Sequence, residues 1–70
     1  MWVHCKKKIE AIQFFKWASQ FNSSFTNAKT KWDVYDKDTC YNFARPRFKC
    51  INDLLWDKNN IIIKYKDLFK

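Results

Sequence analysis

The chain has 70 residues, a formal net charge of +7, 20% aromatic residues and no glycine. The length accommodates one domain and no second core, so residues 1–70 are read as a single basic domain. Without glycine, the loops that cradle phosphate or bend sharply at positive φ are excluded: the P-loop, the dinucleotide fingerprint, the kinase loop, the EF-hand loop and the lipase-type nucleophile elbow.

Met1 to Cys5 is short, β-prone and uncharged. Lys6-Lys7-Lys8 follows, and cations inside a helix N-terminus oppose the macrodipole. That favours a separate strand ending near Lys6 and a helix from about Lys7. Residues 7–22 form the clearest helix, with good helix formers throughout and Asn22-Ser23-Ser24 as the stop. At 100° per residue it carries two apolar stripes. Ile9, Ile12 and Phe15 make one; Ala11, Phe14, Ala18 and Phe21 make the other, with Trp17 beside it.

Residues 23–30 read as a polar loop anchored by Phe25. Lys31 to Tyr35 reads as a strand with Trp32 and Val34 on one face. Asp36-Lys37-Asp38 is a turn, where aspartate takes the role glycine cannot. Thr39 to Arg45 is the return strand. Pro46 ends it and starts a helix in which Phe48, Ile51, Leu54 and Leu55 share a face. Lys58-Asn59-Asn60 is a turn, Ile61 to Lys66 a last strand, and Asp67 to Lys70 a tail tethered by Phe69. The string is (β)αββαβ: an α+β fold with a three- or four-stranded antiparallel-rich sheet and two helices. With the first strand present, the order is that of the ferredoxin-like split-βαβ architecture.

The hydrophobic fraction of 47% argues against disorder. The longest uniformly aliphatic run, Ile61-Ile62-Ile63, is far shorter than a membrane span, and the first residues lack the apolar stretch of a secretory signal. The expectation is a cytoplasmic protein with Cys5, Cys40 and Cys50 as reduced thiols. Lys, Asn, Ile, Phe and Tyr abound while Gly, Ala, Arg and Pro are scarce, which suggests AT-rich coding DNA. In this respect the chain looks like a small phage or mobile-element product.

Charge is the largest functional signal, and it is patchy. Acidic stretches at 32–44 and 52–57 separate the basic ones. Lys6, Lys7 and Lys8 form one cluster; Arg45, Arg47 and Lys49 form another. Such clusters attract polyanions by steering and counterion release. Tyr41 and Phe43 alternate on one strand face immediately before the arginines, and bases stack on such rings. From Tyr41 to Arg47 the pattern resembles the signature of the RNA-recognition-motif family, in which aromatics alternate on the third strand. Tyr41 and Phe43 match that signature, and its glycine is absent. In the opposite alternation Tyr41 and Phe43 are core, and Cys40, Asn42 and Ala44 face solvent.

His4, Cys5, Cys40 and Cys50 lack the paired-knuckle spacing of zinc modules, so no metal or cofactor is expected. There is one histidine, one glutamate (Glu10) and no nucleophile with an evident base, so no catalytic residue is expected. Asp33, Asp36 and Asp38 read as a solvated turn. The expected partner is RNA or single-stranded nucleic acid, met by Lys6, Lys7, Lys8, Tyr41, Phe43, Arg45, Arg47 and Lys49. The alternative is a phage-type inhibitor or antitoxin-like factor that blocks a host enzyme, with Phe14, Trp17 and Phe21 as the contact stripe. Homodimerisation through that stripe competes with it.

Overall fold

The computed structural model describes residues 1–69. It is an α+β domain in which β1 (Trp2–His4), β2 (Thr39–Asn42), β3 (Phe48–Cys50) and β4 (Ile62–Lys64) form one sheet. The helices are α1 (Lys8–Ala18), α2 (Ile51–Leu54) and α3 (Tyr65–Leu68). The strand order is β3-β2-β1-β4. β1 pairs antiparallel with β2 and parallel with β4, while β2 pairs antiparallel with β3. A split βαβ unit requires another strand between its first two strands. Here β1 and β2 are direct antiparallel neighbours, so the ferredoxin-like arrangement is not the one adopted.

Register places Phe48, Tyr41, Val3 and Ile63 in one row across the sheet. Their side chains share a face, because strand periodicity is two. Helix α1 covers that face with Ala11, Phe14, Phe15 and Ala18, and Phe25 completes the cluster. The packing is aromatic. The Phe14 ring lies 5.6 Å from Phe25 and 6.3 Å from Tyr41, and Phe15 lies 4.8 Å from Tyr41 edge-on. The lysines before α1 do not disturb its start. The Glu10 carboxylate reaches back to accept from the backbone N–H of Lys6 (2.9 Å) and Lys7 (3.4 Å), which supplies acceptors to amides outside the helical ladder.

Several segments depart from the sequence expectation. Helix α1 ends at Ala18 and not at residue 22, and the last strand stops at Lys64, where Tyr65–Leu68 forms a third helix in place of the expected strand end and tail. Lys31 to Tyr35 is not a strand: Trp32–Val34 is a single 3₁₀ turn. Lys31 stands before it in the left-handed region at φ 50°, and the Trp32 indole N–H donates to the Cys5 carbonyl at 2.9 Å. That bond holds the loop against the end of β1, where it has no strand partner. The hairpin therefore lies at 43–47 and not at 36–38. Asp36–Asp38 is a 3₁₀ turn whose Asp36 takes φ 51°, a position glycine usually fills. Pro46 starts no helix. It sits in a tight turn closed by the Arg47 N–H donating to the Arg45 carbonyl at 2.7 Å. Proline's fixed φ suits such a turn as well as a helix start. The chain then enters β3 at Phe48, and only Ile51–Leu54 is helical.

The three cysteines carry free thiols, with Cys5 and Cys40 fully buried and Cys50 half-buried. Burial pushes the Cys5 and Cys40 thiols from 9.0 up to about 12, and raises the Tyr41 phenol as well. Above pH 9 the unfolded chain therefore releases protons that the folded chain retains. The stability these groups contribute is complete below that pH and is lost as the pH climbs towards 12. Urea midpoints measured under reducing conditions are expected to fall across this window. A midpoint that stayed flat would contradict the burial of these groups.

Candidate functional site

The sheet has two ends. β1 runs from Trp2 to His4 and delivers Lys6, Lys7 and Lys8 at one of them. Trp2 pairs with Asn42, so the hairpin at 43–47, with Arg45 and Arg47, lies at the other. Helix α1 spans the distance between them, about 16 Å for 11 residues at 1.5 Å each. The basic cluster after β1 and the arginine hairpin are thus separate patches. Lys8 also pairs with Asp33 at 3.3 Å, which partly neutralises the first of them. Lys49 is exposed on β3, on the sheet face opposite Tyr41.

Two of the aromatic assignments are corrected. Tyr41 is wholly buried, and its hydroxyl donates to the Thr30 carbonyl at 2.8 Å. It stacks on Phe14, meets Phe15 edge-on and has no face to offer a base. Phe14 is likewise wholly buried, so it belongs to the core and not to a contact stripe. The remaining three candidates do converge. Trp17 is half-buried, Phe43 is 37% exposed and Phe21 is 74% exposed. The Trp17 ring is 5.3 Å from Phe21 and 5.9 Å from Phe43.

These rings line an open groove of about 370 Å³, together with Ala18, Asn22 and Ala44. That volume is within the range of small-molecule sites. Its walls are tied together from both sides. The Asn22 side-chain amide donates to the Ala44 carbonyl, linking the turn after α1 to the hairpin. The Ala44 N–H donates to the Asn42 side chain (2.8 Å), and the Phe43 N–H to the Met1 carbonyl (2.9 Å). Phe69 closes the far side of Trp17, edge-on at 5.3 Å. The result is a fixed apolar slot with Arg45 and Arg47 exposed on the adjoining turn.

Sequence reading missed Asn22 as a tether because it looked like the stop of the first helix; that helix ends at Ala18, and Asn22 instead caps the 3₁₀ turn Ser23–Phe25, its Oδ1 accepting from the Ser24 N–H at 3.0 Å. It also missed Trp56, which is 88% exposed on the turn after α2. A tryptophan beside leucines reads as core by composition alone. Among the described residues no group of three or more His, Cys, Asp and Glu side chains is placed to hold a metal ion. Among the described residues, no helix is long and apolar enough to cross a membrane. No protein-family model, curated protein or solved structure matches this chain.

Proposed function

We propose that this chain is a non-enzymatic cytoplasmic binding protein that holds RNA or single-stranded nucleic acid at the aromatic groove. Phe21 and Phe43 stack on bases, Trp17 backs them, and Arg45 and Arg47 meet phosphates. The observation that carries the reading is the convergence of exposed rings and two arginines at one end of a protein of net charge +7. Ring faces suit unstacked bases of any sequence, and guanidinium groups bind phosphate with paired donors. Lys6, Lys7 and Lys8 lie at the opposite end and are not part of this contact.

A filter-binding salt titration with a single-stranded oligonucleotide tests it. Each phosphate contact adds about 0.7 to the slope of log K against log salt, so the R45Q/R47Q variant is expected to lose about 1.4 from the wild-type slope. Absence of binding at low salt would sink the reading, because phosphate contacts are strongest there.

A second reading rests on the lining itself. Among the described residues, Asn22 is the one with a polar aliphatic side chain in the groove wall. Such a wall also suits an apolar side chain from a protein, as in a phage-type inhibitor of a host enzyme. Under that reading a partner is retained after nuclease treatment and its affinity barely changes with salt. Under the first, nuclease abolishes retention.

A further inference from the structure

The opposite end of the sheet holds a second cavity. β1 and β4 are parallel neighbours, so both leave the sheet at this end, one into the turn before α1 and the other into α3. The cavity between them is about 140 Å³ and is lined by His4, Lys6, Glu10, Lys64, Tyr65 and Lys66. At about 30 Å³ per water this is room for a phosphate group with a water or two, and too little for a nucleoside.

Lysines from three segments, Lys6, Lys64 and Lys66, line this space. None of the three is ion-paired to a carboxylate among the described residues. The acidic group in the lining, Glu10, is already engaged by the backbone N–H groups of Lys6 and Lys7. The His4 ring is held in place, with its Nε2–H donating to the Lys37 carbonyl at 2.6 Å. Tyr65 is held too, its hydroxyl donating to the Gln13 side chain at 2.8 Å. Like charges brought together at a fixed cleft repel one another, and a multivalent anion between them turns that repulsion into attraction.

We propose that this cleft binds a phosphate monoester or inorganic phosphate, with Lys6, Lys64 and Lys66 as its ligands. The site is independent of the aromatic groove, which lies at the other end of α1. The sequence concealed it because Lys6 is remote from Lys64 and Lys66 along the chain, and the parallel pairing of β1 with β4 brings them together.

The test has two arms, both monitored by backbone amide chemical shifts. In the first, inorganic phosphate is titrated against chloride at equal ionic strength. In the second, a 5′-phosphorylated oligonucleotide is compared with its 5′-hydroxyl counterpart. All three lysines are exposed, so K64Q/K66Q is expected to fold normally. Binding at the cleft predicts shifts at His4, Lys64 and Tyr65, and an affinity loss of about tenfold or more for each lysine removed. R45Q/R47Q should leave that binding unchanged. Saturation in the first arm alone identifies free phosphate as the occupant; a 5′-phosphate preference lost in K64Q/K66Q identifies a strand terminus. Flat titrations in both arms, or equal binding by K64Q/K66Q, overturn the proposal.

Discussion

Phe14→Ala is expected to lower the unfolding free energy by about 3–5 kcal/mol, the usual cost of removing a fully buried phenylalanine. A chain of this size has about 3.5–10 kcal/mol in total, so the variant loses a large share of it. The ring contacts Phe15, Trp17, Phe25, Tyr41 and Phe43, which come from α1, the following loop, β2 and the hairpin. No neighbouring side chain can fill the hole without moving one of those elements. Urea unfolding followed by tryptophan fluorescence measures the effect. A wild-type midpoint in the variant would mean that Phe14 is not the centre of the core. It would also restore its candidacy as a contact residue.

Phe21→Ala is expected to do the reverse. The ring is 74% exposed, so its removal changes stability by no more than about 0.5 kcal/mol. Affinity for a single-stranded oligonucleotide should drop by about 1–3 kcal/mol, the worth of one base stacked on an aromatic ring. Phe43 is a poorer test, because it also packs on Phe14 at 6.4 Å and its loss disturbs the core. Unchanged oligonucleotide affinity in Phe21→Ala, with the fold intact, would remove the groove from the nucleic-acid reading. Loss of a salt-insensitive protein partner instead would favour the inhibitor reading.

The two variants sit seven positions apart on the stripe that helical spacing defines, yet one belongs to the core and the other to the surface. Helical periodicity placed Ala11, Phe14, Ala18 and Phe21 together. It did not show that α1 ends at Ala18, so that Phe21 lies beyond the helix and 74% exposed. The companion stripe divides in the same way. Phe15 is buried against Tyr41, while Ile9 and Ile12 are 53% and 46% exposed. Strand alternation likewise put Tyr41 and Phe43 on one face and left open whether that face was covered. The burial of Tyr41 under α1, with Phe43 at the rim of the groove, gives the two rings different environments despite the shared alternation.

What the sequence determined by itself was local. An α+β chain with a short first strand, a long first helix, a last strand and an aspartate in place of glycine at Asp36 follows from propensity, periodicity and turn chemistry over short windows; the third helix, Tyr65–Leu68, does not. Even there, the second strand and the second helix fell on the wrong segments. Lys31 to Tyr35 and Phe48 to Leu55 each fit two backbone states, and remote contacts such as Trp32 to the Cys5 carbonyl chose between them. The grouping of the charge was decided by tertiary structure alone. Lys6–Lys8 and Arg45/Arg47, two clusters expected to meet one nucleic acid, lie at opposite ends of the sheet, because antiparallel pairing of β1 with β2 sends the segments that follow them in opposite directions. Parallel pairing of β1 with β4 did the converse, bringing Lys6 to Lys64 and Lys66. Spacing along a chain fixes which side chains share a face of one element; only strand order and direction fix which elements share an end.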